Sequence, residues 1–80
     1  MTRYYFDLIE DDAIIPDDEG MELDTLEAVR EEATRSLADM ARDEIRLHLP
    51  ERTGLSVEVR DDAGPVMQVR LIFEIARQRQ

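Results

Sequence analysis

Two stretches of alternating residues, Leu55-Ser56-Val57-Glu58-Val59-Arg60 and Val66-Met67-Gln68-Val69-Arg70-Leu71-Ile72-Phe73-Glu74-Ile75, flank the run Asp61-Asp62-Ala63-Gly64-Pro65. Successive side chains of a strand point to opposite faces, so apolar residues at every second position mark a strand buried on one side. Leu55, Val57 and Val59 form one such set, and Met67, Val69, Leu71, Phe73 and Ile75 form the other. The residues between them are turn formers. The stretch predicts a β-hairpin with strands over about 55–61 and 66–76. Residues 51–54 read as the loop before it, and 77–80 as a frayed polar tail.

A sheet with one apolar face needs a cover, and the sequence upstream supplies one. Leu26, Val29, Ala33, Leu37, Met40, Ala41 and Ile45 recur at three- and four-residue spacing, the stripe of an amphipathic helix. The helix is predicted over about 25–48. Asp24 reads as its N-cap, with Glu27 three residues on in a capping-box arrangement. Glu27, Glu31 and Glu32 favour the positive end of its dipole, and Arg42, Arg46 and His48 the negative end. Glu31 and Arg35 are spaced to pair four residues apart. Pro50 ends the helix at or before Leu49.

Further upstream, Tyr4-Tyr5-Phe6-Asp7-Leu8-Ile9 reads as a strand over about 3–9, and Ala13-Ile14-Ile15 as a second over about 13–16, stopped by Pro16. Asp17-Asp18-Glu19-Gly20 is an acidic turn in which Gly20 is free to take positive φ. Met21-Glu22-Leu23 is an extended lead into the helix. The expected architecture is α+β: a single domain over 1–80, a two-layer ββαββ fold with a four-stranded, mainly antiparallel sheet and one long helix on one face. Numbering these four strands in chain order, the expected sheet order is 2-1-4-3.

Composition narrows the function classes. Twenty Asp plus Glu stand against ten arginines, with no lysine, for a net charge of −10. Nine of those acids, against Arg3 alone, fall in residues 1–24. Nucleic-acid affinity rests on cationic side chains that displace counterions, so no nucleic-acid partner is expected. No apolar run reaches the roughly 18 residues of a membrane span or the 7–15 of a leader's apolar region, which gives the expectation of a cytoplasmic protein with no membrane partner. The absence of cysteine removes disulfides and thiol chemistry, and the absence of lysine removes Schiff-base and P-loop chemistry.

No constellation of catalytic type is present. The doublets Asp11-Asp12, Asp17-Asp18 and Asp61-Asp62 lack calcium-loop spacing and read as solvated turns. His48 has no companion ligand or nucleophile and reads as a dipole partner at the helix end. Ser36 and Ser56 have no visible base, and Gly20, Gly54 and Gly64 are isolated. We therefore expect no enzyme activity, no catalytic residue, no metal, no cofactor and no small-molecule ligand. Asp7, unusual mid-strand, reads as the partner of Arg70 or Arg60 on the face of the sheet away from the helix. On that face Tyr5, Asp7, Arg70 and Ile72 are the candidate interaction residues, with Tyr5 and Ile72 as an apolar patch if they are adjacent.

Arg3-Tyr4-Tyr5-Phe6-Asp7, Asp18-Glu19-Gly20-Met21-Glu22-Leu23, Leu26 to Ala33, Ser36-Leu37-Ala38-Asp39 and the hairpin from Val57 to Val66 together resemble a family of short proteins common in soil and root-nodule bacteria, a domain of unknown function. The resemblance covers nearly the whole chain and implies a small cytoplasmic bacterial protein; it carries over no site residue. A partial likeness to HicB-type antitoxins rests on Gly20 and Thr25-Leu26-Glu27-Ala28. Such antitoxins commonly append a DNA-binding segment, whereas this sequence runs to Gln80, so self-regulation by DNA binding is not expected from the likeness. The expected function is a non-enzymatic protein-interaction or regulatory domain, acting on a protein partner or as a homodimer; the alternative is an antitoxin-like module that neutralises a small basic toxin.

Overall fold

Alternation in residues 55–74 becomes a long antiparallel pair. In the computed structural model, which describes residues 1–47 and 52–79, the chain runs β1 (Thr2–Glu10), β2 (Ala13–Ile15), β3 (Met21–Leu23), α1 (Leu26–Leu47), β4 (Arg52–Asp61) and β5 (Gly64–Glu74). β4 starts earlier than expected: Thr53 and Gly54 pair with Phe73 and Ile72 instead of looping out. Asp62 and Ala63 make the turn, where Asp61 Oδ1 accepts the Ala63 amide at 2.8 Å. The register slips by one between Val59 and Arg60, so Val66 and Met67 both pack against the core, as a β-bulge allows.

The sheet order is β2-β1-β4-β5, with β3 also paired to β1. This corrects the expected order, because β1 lies beside the first strand of the C-terminal hairpin, not the second. Strand direction explains it. α1 leads back along β1, so β4 runs antiparallel to β1 and β5 runs parallel to it; only β4 can join β1 in an antiparallel ladder. Tyr5↔Arg60 through Glu10↔Leu55 is that ladder.

Met21–Leu23 is a third short strand rather than a lead-in, which makes the order βββαββ. β2 pairs with β1 at Leu8↔Ile15 and Glu10↔Ala13, and β3 pairs with β1 at Thr2↔Leu23 and Tyr4↔Met21. Both follow the edge opposite β4, with two extra residues accommodated in the segment between them. An even slip keeps the faces in phase: Ile15, Met21 and Leu23 stay on the helix side.

Helix α1 begins one residue later than a cap at Asp24 would give. Thr25 Oγ1 accepts the Ala28 amide at 3.0 Å, and the Thr25 carbonyl accepts Val29 N–H at 3.1 Å, so Thr25 is the N-cap. Arg35 pairs with Glu32 at 2.9 Å, not with Glu31. Val29, Ala33, Leu37 and Ala41 are buried against Tyr4, Phe6, Leu55, Val57 and Val59, whereas Leu26 and Ile45 of the same stripe remain exposed. The small Ala33 and Ala41 let the helix approach the sheet closely. His48 and Pro50 lie outside the described residues.

Candidate functional site

Four residues meet on the sheet face away from α1. Arg60 Nε donates to Asp7 Oδ2 at 2.9 Å, Arg60 Nη2 donates to the Asp17 carbonyl at 3.0 Å, and the guanidinium lies 4.6 Å from the centre of the Tyr5 ring. The ladder brings this about: Tyr5 faces Arg60, and Asp7 sits two residues along β1. Directly opposite Asp7 is Glu58, a like charge that Arg60 offsets from the diagonal position. Of the two arginines expected to answer Asp7, the structure selects Arg60.

Asp17 ties the β2–β3 connection to this cluster. Its amide donates to Asp7 Oδ1 at 2.9 Å. Its Oδ2 accepts the Phe6 amide, and its Oδ1 accepts the amides of Glu19 and Gly20, each at 3.1 Å. The carboxylate thus stands in for the missing ladder partner of Phe6 where the two extra residues interrupt the strand. Partial burial works to raise the Asp17 pKa, but the Phe6, Gly20 and Glu19 amides and the Arg60 charge outweigh it, and the group titrates below its ordinary value. Arg60 is held more firmly protonated, chiefly by its hydrogen bond to Asp7. The Asp7 and Asp17 carboxylates and the Arg60 guanidinium are all engaged in hydrogen bonds, an arrangement that fastens the loop to β1 and β4.

The four residues proposed as an interaction face do not converge. Tyr5 and Asp7 belong to the cluster. Arg70 lies opposite Ser56 and Ile72 opposite Gly54, toward the other end of the sheet. Tyr5 and Ile72 are about 20 Å apart along the strands, at roughly 3.4 Å per residue, so they form no joint patch. At that far end, however, several apolar side chains are exposed: Ile15 and Leu71 on the helix face of the sheet, Ile14 and Ile72 on the other face, with Ile45 on α1 and Ile75 just after β5. Gly54 leaves open space beside Ile72, since a Cβ there would meet nothing within 4 Å.

The helix side of the same end holds a feature that the sequence reading missed. α1 packs chiefly on β4 and β5 and touches β1 little, leaving a groove of about 470 Å³ between its C-terminal half and the β1–β2 hairpin. Leu8, Ile15 and Met40 line it with Ser36, and Glu10, Asp39, Asp43 and Glu44 complete the lining. The available signal was width: a helix about 10 Å across cannot cover four strands spaced about 4.8 Å apart. Among the described residues no helix is long and apolar enough to cross a membrane, and no three carboxylate or imidazole groups converge as metal ligands.

No curated protein and no solved structure matches the chain. The sequence model of one family does match, over residues 3–72, a span that runs from β1 into β5 and takes in the Asp7–Asp17–Arg60 cluster. The chain belongs to that family, Domain of unknown function (DUF6894).

Proposed function

We propose that this is a non-enzymatic protein-interaction domain whose partner covers the far end of the sheet. One observation carries the reading: Ile14, Ile15, Leu71, Ile72 and Ile75 are all 40 % or more exposed at that end, with Ile14 and Ile72 on the sheet face that α1 does not cover. Concentrated exposed apolar surface of this kind is characteristic of interaction sites. The Asp7 and Asp17 carboxylates of the cluster are engaged in holding the loop. A different chain suits the site better than a second copy, because two bodies at −10 repel each other on approach. A small basic toxin would be one such partner; the acid-rich first 24 residues favour that narrower reading.

Affinity capture from the native cells tests the proposal. The wild-type chain should retain a specific protein that Ile14→Glu/Ile72→Glu releases. Capture of the same proteins at the same levels by both chains contradicts the reading.

A further inference from the structure

We infer that the groove between α1 and the β1–β2 hairpin receives a basic amphipathic segment of the partner protein, one apolar side chain on its floor and arginine or lysine side chains at its rim. This rests on the interaction reading above and names the chemistry of the partner. The floor is apolar: Leu8 and Met40 are half-buried, and Ile15 is 62 % exposed. The rim is acidic on both walls, with Glu10 from β1 and Asp39, Asp43 and Glu44 from α1. Asp39 is paired with Arg42 at 3.0 Å, whereas the carboxylates of Asp43 and Glu44 make no hydrogen bond or ion pair among the described residues. Among the described residues, no cationic side chain lines the groove.

Sequence explains why the two features coincide. Ser36, Met40 and Glu44, with Asp39 and Asp43 beside them, recur at three- and four-residue spacing on the helix flank that lines the groove. That flank carries one apolar residue where the flank over β4 and β5 carries several. It is therefore too polar to close on Leu8 and Ile15, and too apolar at its centre to be fully solvated. An apolar anchor between basic residues satisfies both parts, with the floor supplying affinity and the rim supplying orientation and rate. A nucleic acid would meet four carboxylates, and a second copy of the chain would bring its own net charge of −10.

The test uses the full chain and a synthetic 14-residue peptide built from Leu-Arg-Arg-Ala repeats, followed by fluorescence anisotropy at about 0.15 M salt, where charges beyond about 8 Å are screened. Ile15→Glu and Asp43→Arg/Glu44→Arg should each weaken binding by about tenfold or more. Glu31→Arg/Asp62→Arg, with the same change of net charge at sites outside the groove, should weaken it by less than about twofold. Circular dichroism confirms that each variant is folded. Equal weakening by the control pair, or indifference to Ile15→Glu, overturns the inference. So does light scattering that shows a wild-type dimer abolished by Ile15→Glu, which would give the groove to a second copy. A native protein still released by Ile14→Glu/Ile72→Glu would, in that event, leave the interaction reading standing without the groove.

Discussion

Gly20 sits at φ +75°, and a Cβ there would lie 2.9 Å from Arg3 Cγ and Tyr5 Cε1 and 3.0 Å from the Tyr4 carbonyl oxygen. The side chains could shift; the carbonyl belongs to β1 and cannot. Gly20→Ala should therefore cost about 1–3 kcal/mol, while Gly54→Ala, built into open space, should stay within about 0.5 kcal/mol of wild type. Denaturant titration of the two variants decides it, and equal midpoints would contradict the assignment. Asp17 gives a pH-dependent counterpart. Its folded pKa is depressed, so its ionised form adds stability that is fully present above the unfolded value near 4. That contribution is lost as pH falls through the lower folded value. Asp17→Asn should cost about 1 kcal/mol at neutral pH, the modest end for bonds to a charged group because the site is open to solvent, and the deficit should shrink below pH 4. A constant deficit from pH 7 to pH 2 would refute the role. Asp7 was legible in the sequence, since strand parity places it on the same face as Arg60. Asp17 was not, because its task arises only from the two-residue slip between β2 and β3.

At the scale of elements, both Asp24 and Thr25 are good capping residues, and the choice between them turns on which start directs Val29 into the core. Thr25→Ala should cost about 1 kcal/mol, and Asp24→Ala only a few tenths. Thermal melts of the two variants test this, and a larger loss for Asp24→Ala would move the cap back. The C-terminal hairpin, the helix and the β1–β2 hairpin were all readable from period and turn chemistry, because each is a local pattern. β3 was not: three residues are too few to show alternation, and what makes Met21–Leu23 a strand is the free edge of β1 beside it. The sheet order could have been derived. With β1 and α1 running the same way, β4 must run back and β5 forward, and an antiparallel neighbour for β1 is then β4.

For the whole molecule, the Cα radius of gyration of 14.4 Å exceeds the roughly 12 Å of an average compact chain of this length, and the extents are 54 × 22 × 20 Å. The body is a narrow slab, with one helix over part of a sheet that is wider and longer than it can cover. From sequence, the apolar residues at its uncovered end look like ordinary core positions, since Ile15, Leu71 and Ile75 fall on the helix side by alternation. The lateral offset of α1 toward β4 and β5 leaves Ile15 exposed, whereas Leu71 and Ile75 lie toward the far end of β5 and just past it. Ile15→Glu should consequently leave stability within about 0.5 kcal/mol of wild type, as measured by denaturant titration; a loss of 2 kcal/mol or more would mean that the groove is closed in solution. The most direct test of the account is site-resolved photo-crosslinking in the native cells, with a photoreactive amino acid placed in turn at Ile15, Ile72 and Thr34. The account predicts that one partner protein is captured from positions 15 and 72 and not from position 34, on the exposed helix surface. Capture from position 34 alone, or equally from all three, would contradict it.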